Sequence, residues 1–520
     1  MIRPRNLLLA LMFLIFAAGF SAAADIYIAP SATGSNNGTS CSNAYSYTFF
    51  NTASNWGSGS GKIGAGTTVH MCAGTYSFAS GTSCGLSFHG SGSTGNPITL
   101  IADQGAVTVT APYWDGSANG GAICSSGFNG VTINGNNDLT LQASANGTNL
   151  ANQQDYAFGI WANTGDNVTI ENTTISNIYV HACTEPISSC TDEGGQNTGG
   201  IAAQGSNVTI SGNTVHDAKW CITGGLATGA TIANRSIHDN TIYDCDHGVA
   251  VGNGGNGGVL NGLLVYNNTI HDFQNWDDAG NNNHHDGVHI WSYNSGDSIT
   301  GALVYNNYIY GNWGAGMNSA LFAEAMTGLP GAYYFNNLIV DQSTVSHAGC
   351  GDLCFEVNGV SVLNNTIDNS GAVGGGATAI NNYGTKVVVE NNTVNGAFEA
   401  IGFPNGSSWT TVDYNNYYNI GGSGWNQYGS FSGWQSSCKC DSHSAVADPN
   451  LGPNHIPTAN STALIQKGAD LTGLSMPPLN LDKAGLTRSS PPTNWDVGAY
   501  LYNSGNQPPN PPTKLATVVH

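Results

Sequence analysis

The segments LVYNNTIHD (residues 264–272) and LVYNNYIYG (residues 303–311) are almost the same sequence. Each is an apolar strand followed by two asparagines and a second short strand. Five further segments between residues 208 and 396 follow the same pattern. The asparagines that align are Asn213, Asn240, Asn268, Asn307, Asn337, Asn365 and Asn392, and the steps between them are 27, 28, 39, 30, 28 and 27 residues. A recurrent step of 27 or 28 residues indicates one structural unit, here called a coil, that repeats along the chain.

The composition around these repeats favours short strands over helices. Gly accounts for 71 of the 520 residues, and the apolar segments show no long helical period. An open sheet of short strands would leave unpaired edges, whereas winding the chain pairs each strand with its counterpart in the next coil. Asparagine side chains at one corner can then hydrogen-bond from coil to coil. The sequence therefore predicts an all-β solenoid with the seven asparagines stacked at one inward corner.

These repeats resemble the right-handed parallel β-helix of the pectate-lyase-like superfamily, secreted bacterial type. The opening DIYIAPSATGSNNGTS (residues 25–40) and the closing WDVGAYLY (residues 495–502) also resemble the ends of such proteins. The resemblance implies a single-stranded right-handed parallel β-helix over residues 25–420, a C-terminal capping segment over residues 421–502 and a Pro-rich tail over residues 503–520. The superfamily contains lyases, hydrolases, epimerases and non-catalytic proteins, so the resemblance specifies a fold more closely than an activity.

The N-terminus has the pattern of a cleaved secretory signal. Arg3 and Arg5 precede an apolar run from Leu7 to Phe20, and small residues occupy positions 22–24. This pattern predicts a signal peptide over residues 1–24 and a secreted, extracellular protein. No later segment is apolar for long enough to span a bilayer, so we expect no membrane span.

The twelve cysteines all follow this segment. An even number of cysteines in an oxidising compartment favours disulfides, and no cysteine spacing resembles a zinc site. Cys183 and Cys190 can close a short loop. Cys438 and Cys440 are expected to be too close to bond each other.

The formal charge of −21 argues against nucleic acid or anionic lipid as a partner, because both require clustered Lys and Arg. Between residues 150 and 420, the only basic residues other than His are Lys219, Arg235 and Lys386. We expect a monomer whose partner is a polysaccharide substrate.

The 39-residue step contains NWDDAGNNNHHDGVHIW (residues 275–291), which combines three aspartates, three histidines and two tryptophans. This step is longer than its neighbours, so residues 273–285 are predicted to leave the coil after the asparagine corner. A second excursion, residues 181–195, leaves after the equivalent corner three coils earlier. At about 4.8 Å per coil, the two would form walls about 14 Å apart on one side of the solenoid. That groove would accommodate a chain of sugar rings.

Counting from the asparagines places polar residues of the intervening coils in columns. The predicted columns are Lys219, Asp246 and His285; Trp220, His247 and Asp286; and Thr223, Ala250 and His289. Paired carboxylates beside histidines suit glycosidic hydrolysis, in which one carboxyl group protonates the leaving oxygen and another activates water. The sequence therefore predicts that Asp246 and Asp286 act as the general acid and base. His247, His285 and His289 are predicted to orient or assist them. Sugar stacking is assigned to Trp220, Trp276 and Trp291.

Two alternatives remain open at the level of the sequence. A uronate lyase or epimerase would use His285 or His289 as base, with Lys219 or bound calcium against the substrate carboxylate. Such a calcium site would draw on Asp277 and Asp278 together with Asp286, whereas hydrolysis needs no cofactor. A non-catalytic polysaccharide-binding β-helix is the other alternative.

The pairs His216-Asp217 and His271-Asp272 follow the repeat and are interpreted as turn residues.

Overall fold

The computed structural model describes residues 25–503 apart from 118, 147–154, 156, 180–197, 227, 253–255, 277–283, 293, 295, 325–328, 330, 348, 373–376, 403–406, 426–427 and 489–494. The predicted signal peptide, nearly all of the Pro-rich tail and the predicted Cys183–Cys190 loop lie outside the described residues.

The structure is all-β, with short strands that follow one another along the chain. The first coils contain β1 (Ile26–Ala29), β2 (Tyr45–Ser46), β3 (Thr68–Ser77), β4 (Cys84–Ser87), β5 (Ile98–Ala111), β6 (Gly121–Cys124), β7 (Val131–Ala143), β8 (Phe158–Ala162) and β9 (Val168–Ile178). The central coils contain β10 (Gly199–Ala203), β11 (Val208–Ser211), β12 (Thr214–Gly224), β13 (Thr231–His238), β14 (Thr241–Gly252), β15 (Val259–Tyr266), β16 (Thr269–His271), β17 (His285–Trp291), β18 (Ser298–Tyr305), β19 (Tyr308–Gly311) and β20 (Met317–Glu324). The last coils contain β21 (Tyr333–Phe335), β22 (Leu338–Asp341), β23 (Leu353–Phe355), β24 (Ser361–Leu363), β25 (Thr366–Asp368), β26 (Thr378–Asn382), β27 (Val387–Glu390), β28 (Thr393–Gly402), β29 (Trp409–Asp413), β30 (Asn416–Gly424) and β31 (Ala445–Val446).

Helical elements are short. The α-helix α1 covers Phe431–Cys438. Single 3-10 turns cover Cys41–Asn43, Tyr47–Phe49, Ala53–Asn55, Gln274–Trp276, Pro453–His455, Thr472–Leu474 and Pro477–Asn480. Among the described residues, no helix has both the length and the apolar character needed to cross a membrane.

Parallel pairing between successive coils makes the chain a parallel β-helix. Strand β11 pairs with β13, β13 pairs with β15, and β15 pairs with β18, all in parallel. The register sets Ile210 beside Ile237, and Ile237 beside Val265. These side chains are at most 1% exposed. Similar apolar side chains from successive coils therefore stack on one another inside the β-helix. A register shift of one residue would move them out of the core, which fixes the pairing.

The predicted asparagine ladder is confirmed. The Nδ2 of each ladder asparagine donates to the Oδ1 of the next at 2.9–3.1 Å, from Asn213 through Asn392, and the ladder continues to Asn415. All these side chains are buried. The residue before the ladder position turns the chain with a positive φ, for example 55° at Asn267 and 56° at Asn306. Asparagine tolerates that conformation, so the Asn-Asn pair supplies both the turn and the buried rung.

The C-terminal segment contacts the flank of the last coils. Asn391 donates through Nδ2 to the carbonyl oxygen of Ala469 at 2.9 Å, and Asn364 donates to the carbonyl oxygen of Asp496 at 3.2 Å. The Arg488 guanidinium donates to Asn336 Oδ1 at 2.8 Å. The turn asparagines next to the ladder therefore anchor this segment, and its predicted capping role stays a prediction.

Five disulfides join the ten cysteines of the described residues, namely Cys41–Cys72, Cys84–Cys124, Cys221–Cys245, Cys350–Cys354 and Cys438–Cys440. The expectation that Cys438 and Cys440 cannot bond is wrong. Lys439 between them takes a left-handed conformation, with φ of 59°, at the end of α1. This turn sets the two Cα atoms 5.1 Å apart, within the range that a disulfide spans.

Candidate functional site

Four neighbouring strands carry the site side by side. The register aligns Trp220 of β12, His247 of β14, Asp286 of β17 and Ser319 of β20. It also aligns Thr223, Ala250, His289 and Phe322. The second and third columns counted from the sequence are thus confirmed, and strand pairing places their side chains within reach of one another.

Glycine follows both His247 and Asp286, and close stacking explains why. A Cβ at Gly287 would lie 2.4 Å from the carbonyl oxygen of Ala320, and one at Gly248 would lie 2.6 Å from the carbonyl oxygen of Gly287. These approaches are shorter than real Cβ contacts. The glycines let the coils stack tightly at the point where the site residues are held.

Three imidazoles converge on one carboxylate oxygen. The Oδ2 of Asp286 lies 3.1 Å from Nε2 of His284, 3.3 Å from Nε2 of His247 and 3.4 Å from Nδ1 of His289. One nitrogen from each imidazole and one Asp286 oxygen all lie within 4.8 Å of one another. We call these four side chains, His247, His284, Asp286 and His289, the histidine cluster. It brings one carboxylate oxygen and three imidazole nitrogens together at one place on the β-helix.

Two further carboxylates hold the imidazoles from behind. Asp246 contacts Nδ1 of His247 through Oδ2 and Nδ1 of His285 through Oδ1, each at 3.0 Å. Glu324 contacts Nε2 of His289 through Oε2 at 3.0 Å. Each of these pairs directs the opposite nitrogen of His247 or His289 toward Asp286.

Asp246 does not have the placement of the substrate-facing acid or base that the sequence predicted. Its side chain is 1% exposed and both oxygens are engaged, while His285 is fully buried. The physical reason is that both of its oxygens contact imidazoles, those of His247 and His285. Asp246 thus lies against Nδ1 of His247, whereas Asp286 lies against Nε2 of the same ring.

The pKa shifts also bear on whether Asp246 and Asp286 can divide the acid and base roles. Burial raises the pKa of Asp246, but the charge of His247 outweighs it and holds that pKa well below the usual range. The pKa of Asp286 is likewise held low, against its burial, by His289 and the neighbouring imidazoles. Burial lowers the pKa of His247, yet Asp246 and Asp286 together raise it to about 9. Both aspartates are therefore ionised, so the predicted division of acid and base between them does not fit their surroundings.

The other two imidazoles of the cluster, those of His284 and His289, differ in the direction of their pKa shifts. Burial lowers the pKa of His289, and the nearby carboxylates compensate only in part. For His284, burial also lowers the pKa, but the close approach and charge of Asp286 outweigh it and raise the pKa above the ordinary value. The His284 side chain is 41% exposed and that of Glu324 is 14% exposed, the largest exposed fractions among the histidine cluster and the carboxylates that contact it.

Aromatic rings surround the histidine cluster. Trp220 stacks on His247 with ring centroids 4.6 Å apart, and Trp291 stacks beside His289 at 5.7 Å. The two tryptophans lie 6.2 Å from each other, and both are half-buried. The structure therefore brings together two of the three tryptophans assigned to sugar stacking.

The third tryptophan, Trp276, is a core residue, and its predicted contact with sugar is wrong. It is 1% exposed, and its Nε1 donates to the carbonyl oxygen of Asp244 at 3.0 Å. Its ring packs edge-on against Tyr179 at 6.2 Å. Tyr179 and Trp276 stand next to the two excursions, and their rings meet although the strands before them are three pairing steps apart, as expected.

Lys219 is also buried, at 4% exposure. Asp277 and Asp278, the predicted calcium ligands, lie outside the described residues, as does the excursion at 181–195.

The pairs His216-Asp217 and His271-Asp272 are turn pairs as predicted. His216 bonds Asp217 at 2.6 Å, and His271 bonds Asp272 at 2.8 Å. Each imidazole also stacks with a tyrosine along the flank.

The sequence reasoning missed His284, Glu324 and Asn318, whose Nδ2 donates to Asp286 Oδ1 at 3.4 Å. The signal for Glu324 was present, since Glu324 pairs in register with Trp291. Extending the columns by one coil, to LFAEA (residues 321–325), would have found it.

No protein-family model matches this chain, and neither does any curated protein sequence. Among solved structures, the chain is similar to pectate lyase Pel9A, with 14% identity, 93% of this chain and 98% of that chain covered, and a TM-score of 0.36. It is also similar to the GH136 lacto-N-biosidase from Eubacterium ramulus, with 14% identity, 82% and 67% covered, and a TM-score of 0.44. XylC in complex with xylose has 11% identity, 91% and 98% covered, and a TM-score of 0.44. Similarity at this level carries no argument about the chemistry of the site.

Proposed function

We propose that this chain is a secreted, monomeric enzyme that cleaves glycosidic bonds of an extracellular polysaccharide at the histidine cluster. The observation that carries the proposal is the ionised, buried Asp286 among three imidazoles, with two half-buried tryptophans beside them. The finer architecture belongs to the same proposal: the β-helix is single-stranded and right-handed, and residues 421–502 cap it.

The tryptophans are suited to hold the glycan. Trp220 and Trp291 present aromatic surface next to polar groups, and aromatic side chains supply large apolar contact area in ligand sites. A sugar ring above them would place its glycosidic oxygen near His284 and Glu324.

Proton transfer is assigned to the two accessible groups. In hydrolysis, one group protonates the leaving oxygen and another activates water. We assign these two tasks to Glu324 and His284, whose side chains have the largest exposed fractions of the titratable groups in the site. Asp286 lies 3.1–3.4 Å from the imidazoles and orients them by its charge, while Asp246 orients His247.

Local charge favours a neutral glycan, and therefore hydrolysis. In the described coils that form the site, the basic side chains other than His are Lys219 and Arg235, and both are buried. Arg235 donates to the carbonyl oxygens of Gly224 and Gly225, which is a structural role. A polyuronate would therefore meet no exposed Lys or Arg there.

A uronate lyase is the second candidate, and the abundance of imidazoles favours it. His284 would remove the C5 proton as a base, and a bound cation would neutralise the substrate carboxylate. The lyase thus requires a metal ion at the site, whereas hydrolysis of a neutral glycan does not.

Product analysis on a panel of neutral and uronate polysaccharides tests the proposal. New reducing ends without ultraviolet absorbance support hydrolysis, and unsaturated ends that absorb in the ultraviolet support the lyase. Retention on a polysaccharide without any cleavage overturns the enzyme proposal and identifies a binding protein. Asp286→Asn is the matched inactive control, because it keeps the size of the side chain and removes its charge.

A further inference from the structure

We propose that the histidine cluster is a binding site for a divalent transition-metal ion of the Zn²⁺ type. The ligand atoms are Nε2 of His247, Nε2 of His284, Nδ1 of His289 and Oδ2 of Asp286, which lie within 4.8 Å of one another. This inference goes beyond the proposed cleavage of polysaccharide and does not depend on it; with an ion on Nε2, His284 would act as a ligand and proton transfer would rest with Glu324.

Unsatisfied buried atoms are the first argument. The Nε2 of His284, the Oδ2 of Asp286 and the Nδ1 of His289 are buried and have no partner with hydrogen-bond geometry. These atoms approach one another at 3.1–3.4 Å without forming such bonds. Burying a polar atom without a partner costs free energy. One cation between them would satisfy all three atoms and His247 as well.

The carboxylates behind the imidazoles are the second argument. A metal-bound histidine usually donates its other ring N–H to a carboxylate, which fixes the tautomer and leaves the facing nitrogen free to bind the ion. His247 has this arrangement with Asp246 at 3.0 Å, and His289 has it with Glu324 at 3.0 Å. A cluster held together only by ion pairs would not need His247 and His289 to be bound by carboxylates from behind.

The donor set selects the kind of metal. Three imidazole nitrogens and one carboxylate oxygen suit Zn²⁺ and neighbouring first-row ions, whereas calcium prefers six to eight oxygen ligands. The calcium expected from the sequence therefore does not fit this cluster. Four side-chain ligands would match a tetrahedral ion, and the exposed edge of His284 leaves solvent close to it.

Metal binding by the full mature chain tests this inference without any substrate. The protein is stripped with a chelator, dialysed and titrated with Zn²⁺ alone by calorimetry, and metal content is measured by mass spectrometry after dialysis. We expect one Zn²⁺ per chain. The Co²⁺-loaded protein should show the visible absorption bands of a four-coordinate site with nitrogen ligands.

Variants locate the ion. His284→Ala and Asp286→Asn should each weaken Zn²⁺ binding by at least about 100-fold, and Asp246→Asn by about 10- to 100-fold. His271→Ala is the matched control, because His271 is also bonded to a carboxylate, Asp272, but lies outside the cluster. His284 is partly exposed, so its variant is expected to fold even where Asp286→Asn does not.

Three results would overturn the metal site: no Zn²⁺ retained by the parent chain, equal affinity in His284→Ala and His271→Ala, or stoichiometric calcium in place of Zn²⁺. None of them bears on hydrolysis of a neutral glycan, which is measured separately from the products. Conversely, a chain that binds Zn²⁺ at the cluster but cleaves no polysaccharide would support this inference while overturning the proposed function.

Discussion

The Nε2 of His247 lies 3.3 Å from the Oδ2 of Asp286, and the two residues are register partners on consecutive coils. The β-helix thus brings together groups that are far apart in the sequence by stacking equivalent positions. The same stacking builds the buried ladder and the candidate site, so the stability of one and the geometry of the other depend on a common register.

Asn268→Ala should destabilise the β-helix strongly. The Asn268 side chain accepts from the backbone N–H and Nδ2 of Asn240, and donates to Asn307 and to the carbonyl oxygen of Ile237. Its loss leaves several buried groups unpaired, at about 1–3 kcal/mol each. We expect the free energy of unfolding to fall by about 3 kcal/mol or more, measured by denaturant titration. Asn261→Ala, at an exposed asparagine of the same coil, should leave stability unchanged, and equal effects at both positions would contradict the ladder's role.

Two tryptophan substitutions should separate binding from stability. Trp276 is buried against Tyr179, so Trp276→Ala should lower the free energy of unfolding by about 3–5 kcal/mol, the range for a large core side chain. Trp220 is half-buried beside the cluster, and Trp220→Ala should instead raise KM about tenfold, since an aromatic contact contributes about 0.5–1.5 kcal/mol. Thermal unfolding and initial rates on the cleaved polysaccharide measure the two effects. The opposite pattern would show that the sugar lies over Trp276.

Lys483, which is half-buried, should contribute stability that rises with pH. Burial lowers the pKa of Lys483 from 10.5 to about 7, and its Nζ donates to the carbonyl oxygen of Asn306. Between pH 7 and 10.5, the unfolded chain therefore binds a proton that the folded chain does not. The contribution of this group to the free energy of unfolding increases with pH across that window. Denaturant titrations at pH 7 and pH 9 should show a more positive change in stability for the parent chain than for Lys483→Met, because the opposing contribution of His247, whose pKa is raised to about 9, is common to both proteins. Identical pH dependence in the two proteins would rule out this contribution of Lys483.

The fold could be predicted from the sequence because each coil carries its own copy of the signal. The spacing of the ladder asparagines gives the coil length of 27 or 28 residues. Counting from them predicted the column that contains Trp220, His247 and Asp286. Asn415 belongs to the same ladder but follows a shorter step, of 23 residues, so the count stopped before it.

The parts that could not be predicted depend on side-chain directions or on contacts between distant coils. Spacing placed Asp246 next to His247 but could not show that His247 and His285 together occupy both of its oxygens. The burial of Trp276 depends on Tyr179, which lies several coils earlier in the chain. The bond between Cys438 and Cys440 depends on the backbone angle of Lys439, which no spacing rule contains.

The last prediction concerns catalysis by Glu324. Glu324→Gln keeps the size of the side chain and a contact with His289, but it removes the ionisable group that faces the substrate. If Glu324 transfers the proton, kcat should fall about 100-fold or more, the usual scale for a positioned acid or base, while KM and thermal stability stay nearly the same. Asp272→Asn is the matched control, because Asp272 is a carboxylate bonded to a histidine on the flank, away from the cluster. Initial rates and product analysis on the same polysaccharide compare the three proteins. Should Glu324→Gln keep the turnover of the parent while His284→Ala loses it, the acid or base is the imidazole. Glu324 would then serve only to hold His289, as Asp246 holds His247.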